Sequence, residues 1–157
     1  MTRVGLGFDA HAFDPDRRLV LGGVKITDSP GLAGHSDADV VAHALADALL
    51  GAAALGDLGS RFPDTNEWKN ADSLVILKEC AAAVSVAGYG IVNVDVTVVA
   101  QRPRLAAHID AMAATLASTL DLAPADVSVK ATTTDGMGFT GRGEGIAALA
   151  IVAIDAS

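Results

Sequence analysis

Alternating apolar and polar residues mark the strands of this chain. The clearest case is IVNVDVTVVA at residues 91–100, whose period of two predicts a strand with one buried face. Four valines share that face: Val92, Val94, Val96 and Val98. Further strands are predicted at residues 2–8, 127–133 and 146–154. The last of these is apolar on both faces, so we expect it to be buried on both sides.

Longer apolar runs predict three helices. Residues 38–55 are almost entirely apolar, so this helix should be buried on most sides. Ser36, followed three positions later by Asp39, resembles a capping box at its start. Two more helices are predicted at residues 72–87 and 105–120.

The remaining segments have the composition of turns and loops. Gly22-Gly23 separates the apolar triplets LVL and VKI, which predicts a β-hairpin, and residues 28–34 and 57–70 are predicted loops. No repeat or low-complexity linker is visible, so a single domain at residues 1–157 is expected. Together these elements predict an α+β fold (an α/β sandwich), in which a small mixed sheet has helices packed on one face. We expect the sheets of separate copies to face each other.

Composition adds a reason to expect an oligomer, since 51% of the 157 residues are apolar and only 4% are aromatic. A small monomer rarely needs so much apolar surface. No apolar run approaches the roughly 20 residues of a membrane span, and the N-terminus has no signal or transit pattern. The single cysteine, Cys80, excludes an internal disulfide and is expected in the core. A cytoplasmic protein is therefore expected.

The formal net charge of −8 argues against non-specific nucleic-acid binding, which depends on Lys and Arg side chains that neutralise phosphates. An anionic ligand would therefore need local cations. Metal ions, a few Arg side chains or backbone N–H groups at helix starts could supply them.

Two separate segments carry groups that could bind a metal ion. Asp9 and His11 are two residues apart and so share one face of a strand. His43 lies in the apolar helix, in one column with Asp39 and Asp47. One Asp and two His are suitable ligands for a tetrahedral zinc with an open fourth position, and Mn²⁺ or Co²⁺ would also accept them. The alternatives are a surface turn for the first pair and a hydrogen-bonded core residue for His43.

Further polar residues lie beside glycine or proline. GHSD at 34–37 is either a helix-capping turn or a phosphate or diol pocket. DLG at 57–59 and FPD at 62–64 are typical of turns. TTTD at 132–135 could hold a phosphate with its Mg²⁺ or belong to a threonine-rich strand. FTGRGEG at 139–145 could be an ion-paired loop or a small anion site.

Taken together, the motifs resemble those of the 2-C-methyl-D-erythritol 2,4-cyclodiphosphate synthase family. The resemblance runs from Gly5 nearly to Ile154 and rests on four segments: GLGFDAHAF, GLAGHSDADVVAHALADALLGAAALGDLGSRFPDT, GYGIVNVDVTVVAQRPRL and VKATTTDGMGFTGRGEGIA. It implies a homotrimer whose active sites lie between subunits.

The resemblance also implies the reaction. The enzyme would convert 4-diphosphocytidyl-2-C-methyl-D-erythritol 2-phosphate to the 2,4-cyclodiphosphate with release of CMP, in the non-mevalonate isoprenoid pathway. The 2-phosphate would attack the β-phosphorus, so no protein nucleophile is required. The alternatives are a metal-dependent phosphohydrolase on the same scaffold and a non-enzymatic trimer that binds isoprenoid diphosphates.

Individual residues acquire roles from the same resemblance. Asp9, His11 and His43 would bind zinc, and Asp135 would bind a second ion, Mg²⁺ or Mn²⁺, across the diphosphate. The predicted catalytic residues are His35, Thr133 and Asp135. The predicted substrate-binding residues surround the phosphate, methylerythritol and cytidine diphosphate groups: Ser36, Asp39, Asp57, Gly59, Asp64, Ala100, Pro103, Arg104, Leu105, Ala131, Thr132, Thr133, Phe139 and Arg142.

Two positions depart from the family pattern, which usually has Glu at 135 and Lys at 104. Asp135 is one methylene shorter, so the second ion could bind through water. Arg104 presents a planar guanidinium in place of an ammonium, which could change nucleotide affinity. Arg142 and Glu144 match residues that line a central cavity, where some family members hold isoprenoid diphosphates.

Overall fold

The structure, a computed structural model, describes all of residues 1–157. Seven strands follow one another along the chain: β1 (Arg3–Asp14), β2 (Leu19–Leu21), β3 (Val24–Ile26), β4 (Gly31–Leu32), β5 (Tyr89–Val99), β6 (Val127–Thr132) and β7 (Gly145–Ala156). Five helices accompany them: α1 (Val40–Ala52), α2 (Leu58–Arg61), α3 (Ser73–Val86), α4 (Ile109–Leu120) and α5 (Gly138–Gly141). Short 3₁₀ turns lie at Ala106–His108 and Pro124–Asp126.

Five of the strands form a mixed sheet in the order β4-β1-β7-β5-β6. The central strand, β7, is antiparallel to both β1 and β5, whereas β5 and β6 are parallel. β2 and β3 form the separate hairpin that Gly22-Gly23 predicted. The predicted α+β class with a small mixed sheet is therefore confirmed.

The two faces of this sheet differ. α1 packs on β1 and β7, α4 packs on β6, and α3 packs against both helices. On the other face of the sheet, five apolar side chains are 38–66% exposed: Val4, Leu6, Phe8, Leu149 and Ile151. In the single chain, residues 146–154 are thus buried on one side only, and contact between the sheets of separate copies stays a prediction.

The predicted alternation in residues 91–100 is confirmed for Val94, Val96 and Val98, which are buried. It is wrong for Val92, which is 47% exposed. A β-bulge in β5, beside β7, drops Val92 from the pairing and reverses the direction of its side chain.

The first strand is longer than the predicted strand at 2–8. It pairs with β7 as far as Ala12, because the long apolar β7 offers partners well beyond residue 8. Asp9 and His11 therefore lie within a paired strand and not in a surface turn.

α1 is shorter than the predicted helix at 38–55. Its N-cap is Asp39, whose carboxylate accepts hydrogen bonds from the backbone N–H groups of Val41 and Ala42, so the predicted capping box at Ser36 is wrong. The other predicted helices correspond to α3 and to a 3₁₀ turn followed by α4. The predicted loops contain the short elements β4 and α2. None of the helices combines the length and the apolar character that crossing a membrane requires.

Candidate metal centre and clefts

An unusually close approach of β1 to α1 positions the candidate metal ligands. A Cβ atom on Gly5 would lie 1.9 Å from the carbonyl oxygen of Ala48, and one on Gly7 would lie 1.8 Å from that of Ala44. β1 and α1 can approach each other this closely because the glycines of the strand have no Cβ atom and the facing residues of the helix are alanines. The contact brings His43, the residue before Ala44, beside the strand.

Three side chains converge at this contact. The Oδ2 atom of Asp9 lies 3.0 Å from Nε2 of His11 and 3.1 Å from Nδ1 of His43. Ligand atoms of all three residues lie within 4.8 Å of one another, and no other cluster of three or more His, Cys, Asp or Glu side chains in the chain could hold a metal ion. We call this triad the metal centre.

The donor set of the metal centre fits a divalent metal ion. Nε2 of His11 is buried and has no hydrogen-bond partner, although Asp9 lies 3.0 Å away. Buried polar atoms are normally hydrogen-bonded. The Asp9 oxygen is close to Nε2 of His11 but does not lie in the direction of a hydrogen bond, which indicates that both atoms point at a third group. Bonds of 2.0–2.2 Å to a tetrahedral zinc place neighbouring ligand atoms about 3.3 Å apart, close to the observed separations.

The electrostatics of the metal centre favour a cation. Burial by itself would raise the pKa of Asp9, but the adjacent imidazoles of His11 and His43 outweigh burial and hold that pKa well below its usual range. Burial by itself would lower the pKa of His11, but Asp9 and a backbone contact with Ala33 raise it overall. The carboxylate is thus ionised and the triad carries negative charge whenever its histidines are neutral.

The loop before α1 places His35 and Ser36 beside the metal centre. The Oγ atom of Ser36 lies 3.1 Å from Nε2 of His43, and Nε2 of His35 lies 2.6 Å from the carbonyl oxygen of Thr65. The guanidinium of Arg17 donates hydrogen bonds to the carbonyl oxygens of Gly34 and Ser36 and so holds the loop from outside. Sequence reasoning missed Arg17, because nothing in its local pattern indicates this contact.

Asp39 has a structural role in this chain. It is fully buried, and besides capping α1 it accepts hydrogen bonds from the N–H groups of Gly22 and Gly23 at 2.9 and 2.7 Å. The same carboxylate therefore joins the hairpin to the helix, and none of its surface is open to a ligand within the chain.

The other predicted methylerythritol residues lie on the surface. Asp57, Gly59 and Asp64 are exposed in and around α2. Asp57 caps that short helix by accepting hydrogen bonds from the N–H and hydroxyl groups of Ser60, which lower its pKa.

The predicted cytidine diphosphate residues come together at the carboxyl ends of the parallel strands β5 and β6. They line a cleft of about 360 Å³, which we call the strand-end cleft. All seven of them are present: Ala100, Pro103, Arg104, Leu105, Ala131, Thr132 and Thr133. Clefts of this size, with apolar walls and a few polar groups, are typical small-molecule sites.

A larger cleft of about 950 Å³ shares Arg104 and Thr133 with the first and also contains Arg102 and Arg142. We call it the arginine cleft. Arg142 is exposed there and forms a 2.8 Å ion pair with Glu144. Phe139 is 42% exposed and lines neither cleft.

Asp135 lies in an exposed turn with a left-handed backbone, at φ 52°. Its Oδ1 atom accepts a 3.3 Å hydrogen bond from the hydroxyl of Thr133. The next residue, Gly136, donates its N–H to Oε1 of Gln101 at 3.1 Å, which ties this turn to the strand-end cleft. Asp135 belongs to no cluster of three or more His, Cys, Asp or Glu side chains that could hold a metal ion.

One row of paired residues connects the metal centre with the strand-end cleft. It crosses the sheet from Asp9 to Ala148, then to Val98 and Ala131. At a strand spacing of about 4.8 Å, three steps separate the ends of the row by about 14 Å. Within one chain the two sites therefore lie at the same level of the sheet but apart from each other.

Comparison with known proteins gives consistent matches along the whole chain. A model of the YgbB family matches residues 2–155. The 2-C-methyl-D-erythritol 2,4-cyclodiphosphate synthase of Moorella thermoacetica is 58% identical over 151 residues, which cover 96% of this chain and 93% of that protein.

Solved structures give the same match. The bifunctional IspDF from Campylobacter jejuni has a TM-score of 0.96 and 46% identity, covering 100% of this chain and 43% of that chain. The IspF of Plasmodium falciparum, solved as a CDP complex, has a TM-score of 0.86 and 29% identity, covering 99% of this chain and 97% of that chain.

Proposed function

Since the chain belongs to the YgbB family, together with the 2-C-methyl-D-erythritol 2,4-cyclodiphosphate synthases that match nearly its full length, we propose that it catalyses their reaction. It converts 4-diphosphocytidyl-2-C-methyl-D-erythritol 2-phosphate to the cyclic diphosphate and releases CMP. An oxygen of the 2-phosphate forms a bond to the β-phosphorus, and the bond from the β-phosphorus to the oxygen of the CMP phosphate breaks. The observation that carries the proposal is the convergence of Asp9, His11 and His43 in the metal centre.

The metal centre binds the reacting phosphate. Asp9, His11 and His43 would hold a zinc ion, which would supply charge neutralisation and Lewis-acid polarisation at the β-phosphate. Ser36 lies beside His43, where its hydroxyl can donate a hydrogen bond to a phosphate oxygen. His35, which is anchored to the 57–70 loop through Thr65, contacts the same phosphate, and Asp57, Gly59 and Asp64 contact the methylerythritol unit.

The strand-end cleft binds the nucleotide. Its apolar wall receives the cytosine base, and the Arg104 guanidinium pairs with phosphate oxygens in a bidentate manner. Thr133 lines the cleft and Asp135 lies in the adjoining turn, where Asp135 would help hold a Mg²⁺ or Mn²⁺ ion that neutralises phosphate charge. No protein nucleophile takes part, so catalysis consists of positioning and charge stabilisation.

A homotrimer completes the active site. The metal centre and the strand-end cleft are about 14 Å apart in one chain by strand spacing, and the substrate must contact both. The exposed apolar side chains of β1 and β7 offer the surface through which copies pack. A neighbouring copy then places its strand-end cleft against the metal centre, and Arg142 with Glu144 lines the central cavity, where an isoprenoid diphosphate would bind.

Incubation with the substrate and Mg²⁺ tests the reaction. Phosphorus NMR should show equal amounts of CMP and the cyclic diphosphate. A linear methylerythritol bisphosphate or released inorganic phosphate would instead identify a phosphohydrolase and reject the cyclase. Sedimentation analysis should show a trimer, and a monomer that is fully active would reject the shared site.

A further inference from the structure

A buried chain of hydrogen bonds lies behind His43, on the side away from the metal centre. Nε2 of His43 lies 2.8 Å from the hydroxyl oxygen of Ser73, the first residue of α3. That hydroxyl in turn donates a short hydrogen bond to the carboxylate of Asp37. Ser73 is only 1% exposed, so these partners, and not water, determine the direction of its single proton.

The position of Ser73 is fixed independently of its side chain. The other carboxylate oxygen of Asp37 accepts a 3.1 Å hydrogen bond from the backbone N–H of Ser73. The backbone N–H of Asp37 donates to the carbonyl oxygen of Ala71 at 3.0 Å. The loop before α1 and the start of α3 are thus joined at three points.

Hydrogen-bond donors and acceptors determine where the His43 proton lies. A hydroxyl has one proton, and that of Ser73 is committed to the carboxylate, so its oxygen can only accept from the imidazole. Nε2 of His43 therefore carries the proton. Nδ1, which lies 3.1 Å from Oδ2 of Asp9, would then present its lone pair to an ion bound in the metal centre.

We propose that Ser73 is a positioning residue for the metal ion. Its hydroxyl links the negative charge of the Asp37 carboxylate to the imidazole of His43 and holds that ring with its unprotonated Nδ1 toward the ion. Such outer partners of a ligating histidine orient the ring and raise its basicity. This inference rests on the proposed role of the metal centre. Ser73 itself touches neither metal nor substrate.

The second hydroxyl near His43 makes a useful comparison. Ser36 lies 3.1 Å from Nε2 of His43 and accepts a hydrogen bond from the N–H of Ala38 at 3.2 Å. It makes no hydrogen bond to a carboxylate that could orient its proton. Ser36→Ala is therefore expected to change zinc affinity less than threefold, whatever its effect on turnover.

The decisive variants are Ser73→Thr and Ser73→Val, because Thr and Val have nearly the same shape and differ in the hydroxyl. Zinc affinity is measured by competition with a chromophoric chelator, and the melting temperatures of the two metal-free variants verify equal folding. Ser73→Val should bind zinc ten- to hundredfold more weakly than Ser73→Thr. Equal affinity of the two variants, within twofold, would overturn the inference.

A measurement on the unmodified chain keeps the test independent of folding in the variants. A long-range ¹H–¹⁵N spectrum of the zinc-loaded protein should show His43 protonated at Nε2 and metal-bound at Nδ1. The opposite assignment would overturn the inference while leaving the zinc site intact. If the unmodified chain bound no zinc, the metal centre of the proposed function would fall as well.

Discussion

The metal centre and the strand-end cleft lie in one row across the same sheet, yet they are built in opposite ways. The ligands of the metal centre come from β1 and α1, which pack so closely that glycine is required on the strand. The strand-end cleft is formed by residues at the end of β6 and just beyond the ends of β5 and β6, where Arg104 and Thr133 are exposed.

Because of this difference, a single chain can complete the metal centre but not the strand-end cleft. The metal centre needs only intrachain contacts, because a strand and a helix at van der Waals distance bring all three ligands together. In the strand-end cleft, by contrast, Arg104 and Thr133 are exposed, and under the proposed function a neighbouring copy completes the site. We therefore expect changes in the packed region to affect stability and metal together, and changes in the cleft to affect nucleotide binding alone.

The largest expected effect comes from Gly7→Ala. The added methyl group would overlap the Ala44 carbonyl oxygen, so α1 must move away from β1 and His43 with it. Urea unfolding should show a loss of about 3 kcal/mol or more, and bound zinc should fall to a trace. The matched control is Gly90→Ala in β5, where the added Cβ meets nothing within 4 Å, and its stability should stay within about 0.5 kcal/mol.

The second effect in size is that of His43→Ala, which removes one ligand without adding atoms. We expect loss of zinc and a fall in turnover of about a thousandfold, as for other charge-stabilising groups, while the oligomeric state is unchanged. Metal analysis, sedimentation and turnover measure the three quantities. His108→Ala, before α4, is the control and should keep one zinc per chain; full zinc occupancy in His43→Ala would contradict the assignment.

A change in the strand-end cleft should lower nucleotide affinity and leave zinc binding and stability unchanged. Arg104→Ala removes a charged hydrogen-bond donor, which should weaken CDP binding about tenfold in calorimetry, while zinc content and unfolding free energy stay unchanged. Arg18→Ala alters an exposed arginine in the turn after β1 and should change CDP affinity less than twofold. A loss of zinc in Arg104→Ala would show that the two sites are not independent within the chain.

The smallest expected effect is the reactivity of Cys80 in α3, which measures how tightly the helices pack. Burial raises the pKa of this thiol to about 12, so at pH 8 only about one molecule in ten thousand carries the reactive thiolate. A disulfide reagent should therefore leave the native protein unmodified at pH 8 and label one thiol per chain in urea. Rapid labelling of the native protein would show that this layer opens readily.

The three ligands of the metal centre could be predicted from the sequence, but the residues that hold the ligands and the neighbouring loop in position could not. Asp9, His11 and His43 were found because a carboxylate and two imidazoles are conspicuous in apolar surroundings. Arg17 and Ser73 were missed, although each contacts the loop that precedes α1. Their partners lie 17 to 36 residues away along the chain, and an arginine in a turn or a serine at a helix start has an ordinary local explanation.

Most residues of the strand-end cleft were predicted by family resemblance alone, whereas Thr132 and Thr133 also belong to the TTTD pattern noted as a possible phosphate site. The structure brings all seven together because β5 and β6 are parallel, so that their carboxyl ends meet at one edge of the sheet. Their contacts with substrate remain predictions. Asp39 shows the limit of assignment by resemblance, since its carboxylate is fully buried and engaged by four backbone N–H groups.

Three elements could be predicted from local sequence patterns alone: the buried helix α1, the alternating residues of β5 and the glycine hairpin. Tertiary structure decided the rest through pairing and burial. The partner strand β7 extended β1 so that Asp9 and His11 lie within the sheet, and a bulge turned Val92 outward. The contact between α3 and the loop before α1 oriented His43, because hydrogen bonds between distant segments form only when packing has excluded water.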